Sequence, residues 1–268
     1  EISLGLVGSE MCIRDRYMTD AVMAKTPEAA EQLLLSIWEP AKAKVAEEVA
    51  KMQTLSNSLG NDFEIQPWDY YYFAEKVRQQ KYALDENAIR PYFAVDSVAK
   101  GIFTMANKLY GITFEEMPDA PKYHPDVKVY EAKDADGNHL AVFMTDYFTR
   151  PEKRQGAWME ELKTSWINPD GSVERPIVYN VGNFSKPTAD APALLSIDEI
   201  QTMFHEFGHG LHGMLSKVRL KSQSGTKVDR DFVEFPSQFH EHWAFQPELL
   251  KEYAHHYKTG ELIPDSLV

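Results

Sequence analysis

The sequence predicts a mainly α-helical protein with a small β-sheet, on three observations. Apolar residues recur at helical spacing through residues 26–110, three β-prone runs follow between 127 and 184, and a capped helix with closely spaced histidines comes next. The 268 residues are enough to bury a core without disulfides, and Cys12 is the single cysteine. Lys and Arg number 28 against 41 Asp and Glu, a net charge of −13. That acidic balance, with no basic stripe to offset it, excludes a nucleic-acid backbone and an anionic membrane as partners. No apolar run reaches the length of about 18 residues that a membrane-spanning helix needs.

Residues 1–16 lack the basic region, apolar core and cleavage site of a secretory signal. The chain opens on Glu1, and its GSEMCIRDR stretch resembles the artefactual ends of assembled environmental sequences. Residues 1–16 are therefore expected to be a leader foreign to the native protein, which removes weight from Cys12. Residues 17–115 read as helical. Thr26 is the expected cap of the first long helix, with Pro27 and Glu28 in its first turn. Leu33, Leu34, Ile37 and Trp38 form an apolar stripe, and Val45, Val49 and Met52 continue one beyond Pro40, which is expected to kink or divide the segment. Asp69 is the expected cap of YYYFAEKVRQQKY, whose aromatic residues read as core packing. Asp96 is the expected cap of a third helix that buries Val98, Ile102, Met105 and Leu109 and ends at Gly111. The sheet region spans 127–184: strands at 127–132 and 139–148 joined by a turn at Asp136 and Gly137, a third at 176–184, and loops in RPEKRQGAW and NPDGSVERP.

A second helical region spans 197–258. Ser196 and Glu199 have capping-box spacing, and Ile197, Ile200, Met203 and Phe204 supply the buried face of the helix they open. Within it stands His205-Glu206-Phe207-Gly208-His209. Spacing of four residues puts both imidazoles on one side, one turn apart, as two nitrogen ligands to a single Zn²⁺ require. Glu206 is offset from His205 by about 100° and can reach a water beside the ion. Gly208 and Gly210 each weaken the helix by about 1 kcal/mol relative to alanine, but permit close approach by another element or a substrate backbone. His212 lies about 10.5 Å along the axis from His205, too far to share a tetrahedral ion easily, and fits better as a supporting residue behind the ligands. The third ligand must come from RDFVEFPSQFHEHWAF. Asp231 is an expected cap there with Glu234 three residues on, among Phe232, Val233 and Phe235. On residue chemistry alone Glu234, Glu241, His240 and His242 remain competing candidates.

The pieces PALLSIDEIQTMFHEFGHGLHGML and DFVEFPSQFHEHWA resemble the thimet oligopeptidase family of zinc peptidases, most closely its bacterial peptidyl-dipeptidase branch. DYYYFAEKVRQ, PYF with GIF and LYGITF, and GNFSKP extend the resemblance over residues 17–268. It implies His205, His209 and Glu234 as ligands of one Zn²⁺ and Glu206 as general base, with His212 and Glu241 as supporting candidates. It also implies a two-lobed zincin-type oligopeptidase fold, its HExxH helix in a deep channel that admits short peptides and excludes folded proteins. The expected activity is release of C-terminal dipeptides, with internal cleavage as the alternative, by a cytoplasmic enzyme that is a monomer when full length. A strand at 139–146 or 177–184 is a candidate to pair with extended peptide. Family members are more than twice this length, and their transition-state-binding tyrosine and histidine lie downstream, where His255 and His256 do not match. The chain is therefore expected to be the central portion of the enzyme, poorly active by itself because part of the substrate and oxyanion site is missing. From a different class, a non-catalytic acidic binding module with a structural zinc is the remaining alternative.

Overall fold

The computed structural model describes residues 10–82 and 86–268, so the first nine residues of the expected leader, and the side chain of Cys12, lie outside the described residues. The chain divides into two compact units, one up to Asp85 and one from Glu86. In the first unit α1 (Glu10–Asp20) and α2 (Pro27–Ser58) precede α3 (Tyr70–Tyr82). Thr26 caps α2 as expected, its hydroxyl accepting from the Ala29 N–H at 3.1 Å. Pro40 does not divide α2, whose 32 residues run on through it. A proline removes one i→i−4 donor, and the intact ladder on either side carries the helix across that gap. Leu33, Leu34, Ile37 and Trp38 stand exposed, whereas Met52 is buried. Asp69 is not the cap of α3. It ends a short 3₁₀ turn, Pro67–Asp69, and reaches back to accept from the Gln66 N–H at 3.0 Å. Of the aromatic run that follows, Phe73 is buried while Tyr71 and Tyr72 are exposed, so core packing describes only part of it.

The second unit opens with α4 (Glu86–Ile89) and α5 (Val95–Tyr110). Ala94, not Asp96, is the residue at the N-cap of α5; Asp96 sits inside the first turn, where the helix dipole favours negative charge, and pairs with Lys128 at 2.7 Å. Val98, Ile102 and Met105 are buried as expected, while Leu109, near the end of the helix, is only partly so. Gly111 ends the helix at φ +72, and its N–H donates to the Asn107 carbonyl at 2.8 Å.

The strands are β1 (Thr113–Glu116), β2 (Lys128–Lys133), β3 (His139–Phe148), β4 (Trp158–Lys163), β5 (Trp166–Ile167), β6 (Val173–Glu174) and β7 (Ile177–Phe184). Five form a mixed sheet in the order β1-β2-β3-β7-β4, in which only β3 and β7 run parallel; β5 and β6 make a small separate hairpin. The Asp136–Gly137 turn joins β2 to β3 as expected, with Gly137 at φ +80 and the Asp134 carboxylate accepting from the Asn138 N–H at 2.8 Å. The turn of the β5–β6 hairpin and β6 itself fall in NPDGSVERP, which the sequence presents as loop. Helices α6 (Ile197–Met214), α7 (Glu234–Glu241) and α8 (Pro247–Tyr253) complete the unit. The core sits where α6 meets the sheet and α5: Phe207 packs edge-on against Phe143 of β3, ring centres 5.4 Å apart, and lies 6.2 Å from Phe103 of α5. Among the described residues no helix is long and apolar enough to cross a membrane.

The charged tract after β3 is an ionic knot, not a solvated loop. Asp146, 1% exposed, accepts two hydrogen bonds from Arg150, at 2.7 and 2.8 Å, and one from the Tyr123 hydroxyl at 2.9 Å. The Lys153 ammonium lies 2.9 Å from the same carboxylate and donates to the carbonyls of Asp146, Phe148 and Gly182 at 2.7–2.8 Å. Burial acts to raise the Asp146 carboxyl, but hydrogen bonds from Arg150, Lys153 and Tyr123 outweigh it and hold the pKa at about 2. A carboxyl depressed on folding stabilises the protein above its unfolded pKa of about 3.9, and that contribution disappears as pH falls through the folded value. Melting temperature is therefore expected to fall more steeply between pH 5 and pH 2 for the parent than for Asp146→Asn, by about that difference in linked protons. Parallel slopes in thermal melts would show that the knot does not carry this dependence.

Candidate metal centre and active site

The reciprocal capping box that opens α6 is present: the Ser196 hydroxyl accepts from the Glu199 N–H at 3.2 Å, and the Glu199 carboxylate accepts from the Ser196 N–H at 2.8 Å. Ile200, Met203, Phe204 and Phe207 bury one side of the helix. His205 and His209 are thereby held together on another, their ring centres 4.9 Å apart.

The second contributor is α7, which packs against α6. Val233 occupies its N-cap, so the expected cap at Asp231 is not formed and Glu234 is the first helical residue. One Glu234 oxygen lies 3.1 Å from His205 Nε2 and 3.0 Å from His209 Nε2. His205, His209 and Glu234 offer ligand atoms that all lie within 4.8 Å of one another. Bonds of about 2.0 Å to a tetrahedral zinc give edges of about 3.3 Å between ligand atoms, close to the two separations seen, and two imidazoles with one carboxylate are a donor set that zinc accepts. The residues therefore fit a single Zn²⁺. The expected apolar burial of Glu234 is not found: its side chain is 50% exposed, and Phe232 and Phe235 are exposed beside it. What aims the carboxylate is Ser237, whose hydroxyl donates to it at 2.9 Å. Burial acts to raise the Glu234 carboxyl, but that hydrogen bond and the two histidines bring it below its usual range.

Glu206 is 8% exposed, and its Oε2 has no hydrogen-bond partner among the described residues. Burial pushes its carboxyl up to about 7, opposed by His205 and reinforced by the charge of Glu234. From the sheet, the buried Asn180 side chain of β7 donates to the Glu206 carbonyl at 2.6 Å and ties the backbone beneath the carboxyl to the core. Glu241 faces the opposite side of His205 from Glu234: one oxygen meets His205 Nδ1 at 2.5 Å, and the other accepts from Gln201 at 2.6 Å. A carboxylate on the far nitrogen fixes the ring and leaves Nε2 free to bind. His240 is buried between the Tyr110 hydroxyl at 2.9 Å and the Pro236 carbonyl, and His242 is exposed. His212 lies outside the three-residue group, edge-on to Phe232 at 6.5 Å, and burial lowers its pKa. An open depression of about 460 Å³, lined by Ala157, Gln201, Thr202, His205, Glu206 and Glu241 among others, lies beside His205 and Glu206.

Asn180, Ser237 and Gln201 are the contributors that sequence reasoning misses. Ser237 and Gln201 carry a weak local signal, being three residues after Glu234 and four before His205 on the same helix faces. Asn180 reaches α6 from a strand 26 residues away and has none.

A profile of peptidase family M3 matches residues 14–268, almost the whole chain. The chain belongs to peptidase family M3. This M3 chain is 46% identical over 247 residues to a dipeptidyl carboxypeptidase of Salmonella typhimurium, covering 91% of the chain and 36% of that relative. Identity to the dipeptidyl carboxypeptidase of Escherichia coli is 45% over the same coverage. To oligopeptidase A of Escherichia coli it is 37%, over 92% of the chain and 36% of the relative. The M3 chain thus spans about a third of the length of these curated relatives.

Proposed function

We propose that the chain is the metal-holding portion of a two-lobed zinc peptidyl-dipeptidase, a cytoplasmic monomer that releases C-terminal dipeptides from short peptides. The observation that carries this reading is the meeting of His205, His209 and Glu234 beside a buried Glu206 whose Oε2 lacks a partner. In this assignment His205 and His209 bind zinc through Nε2 and Glu234 completes the set, while Glu241 orients His205 from behind. Zinc bound there supplies a Lewis acid that polarises a carbonyl and acidifies a water. Glu206 takes the proton from the attacking water and passes it to the departing amine; a carboxyl raised toward neutrality suits both transfers.

The peptide-pairing strand differs from expectation. Residues 139–146 and 177–184 lie in β3 and β7, each already paired on both sides, so neither offers a free edge. β4 pairs only with β7, and Ala157, just before it, lines the depression at His205 and Glu206. Extended substrate backbone therefore adds to β4. The higher identity to dipeptidyl carboxypeptidases than to oligopeptidase A supports dipeptide release over internal cleavage.

Product mapping on a blocked and an unblocked peptide with the whole protein tests the reading. Successive dipeptides from the C-terminus are expected, and internal fragments alone would shift the assignment to an oligopeptidase. The ligand set has its own test by zinc titration. Glu234→Ala is expected to weaken zinc by at least about 10-fold, and His212→Ala to leave it within about threefold. Equal affinities for Glu234→Ala and the parent would remove Glu234 from the site.

A further inference from the structure

Gly208 and Gly210, both inside the histidine helix, meet different neighbours. A Cβ built on Gly208 would fall 2.7 Å from Ser237 Cα, 2.9 Å from the Pro236 carbonyl oxygen and 3.1 Å from His240 Nδ1. The first two are backbone atoms of α7 and cannot rotate away. On Gly210 it would meet only the Asn180 and Phe143 side chains, at 3.3 Å or more. α7 backbone thus packs directly on Gly208, where no side chain would fit, and Ser237, wholly buried, is the residue seated on it. The same Ser237 hydroxyl donates to the Glu234 carboxylate at 2.9 Å. Glu241, on His205 Nδ1, is four residues further along the same short helix.

We propose that the Gly208–Ser237 contact is the spacer of the metal centre, setting the separation of α6 and α7 at which Glu234 reaches both histidines and Glu241 reaches His205. Gly208 is a positioning residue: it touches neither substrate nor metal and acts through α7. Without it α7 must move outward as a body, because the clash is with backbone, and both carboxylates move with it. Ser237 then fixes the direction of the carboxylate once the spacing is set. This inference rests on Glu234 as a ligand.

Zinc affinity of the full chain, measured by competition with a chromophoric chelator, is the readout. Gly208→Ala is expected to weaken zinc by about 10-fold or more, and Ser237→Ala by a similar factor, as loss of support behind a ligand does elsewhere. Gly210→Ala, the same change of residue on the same helix, is expected to stay within about threefold of the parent. In a background lacking both carboxylates, Glu234→Ala with Glu241→Ala, Gly208→Ala should lose no more than about a further threefold, because the contact acts through those two side chains. Equal losses from Gly208→Ala in both backgrounds would mean general damage to the fold and overturn the spacer. So would parental affinity in Gly208→Ala and Ser237→Ala alongside a weakened Glu234→Ala, which leaves the ligand assignment standing. Parental affinity in Glu234→Ala itself would instead reject the ligand. Should circular dichroism show that Gly208→Ala does not fold, Ser237→Thr decides, since it keeps the hydroxyl and adds one methyl to the wholly buried residue seated on Gly208: weakening supports the spacer and parental affinity rejects it.

Discussion

Glu206→Gln is expected to lower hydrolysis of a short peptide by at least about 10²-fold while zinc affinity stays close to parental. The change keeps the volume of the side chain and removes the basic oxygen. The carbonyl of residue 206, which accepts from Asn180, is untouched, so the helix backbone stays where the sheet holds it. His205→Ala is the contrasting variant. It deletes a ligand nitrogen and the partner of Glu241, so occupancy and activity should fall together. Rates compared at matched zinc occupancy separate the two effects. A fully loaded Glu206→Gln protein cleaving at the parental rate would remove Glu206 as the base while leaving the metal site intact.

The largest stability effect is expected away from the metal. Lys153 is 3% exposed in its side chain, and its ammonium serves one carboxylate and three carbonyl oxygens. Lys153→Met keeps the length of the chain but strands those acceptors in the core, and removing one partner of a buried pair costs about 3–5 kcal/mol. Lys186→Met is the comparison: Lys186 also pairs with an aspartate, Asp126 at 2.7 Å, but with its side chain 49% exposed. Its loss is expected to cost no more than about 1 kcal/mol. Denaturant unfolding of both variants distinguishes them, and similar losses would show that the buried knot contributes no more than a surface pair.

Where the determinants are local, the sequence reads correctly. Thr26, Ser196 with Glu199, Gly111 and the Asp136–Gly137 turn each depend on residues within a few positions, and each is found as expected. Asp69 and Asp96 mislead because an acidic residue near a helix start serves equally well inside the first turn or reaching back from it, and Asp231 because α7 begins three residues later, at Glu234. β4 was not legible because WMEELK carries no clear strand pattern and is held by pairing with β7. Lys153 was read as a loop charge because one of its acceptors, the Gly182 carbonyl, is 29 residues away. The choice between Glu234 and Glu241 was open for a geometric reason. Seven residues apart, they recur on one helix face after two turns, and periodicity cannot rank them. The seating of α7 on α6 ranks them, by presenting one to Nε2 and the other to Nδ1 of the same imidazole.

Glycines 208, 210 and 213 within the 18 residues of α6 have a bearing on the order in which the protein assembles. Each weakens an isolated helix by about 1 kcal/mol relative to alanine, so the segment has little reason to coil by itself. Its two histidines come into register when the sheet and α7 close around it. If the proposed site holds zinc, its capture is then a late event, and a nascent or misfolded chain is expected to hold the ion poorly. Zinc at about 100 times its dissociation constant would add about 2.7 kcal/mol to the native state alone. On the proposed zinc assignment the centre serves as a check on its own fold, since the ligand set exists only once tertiary structure has formed.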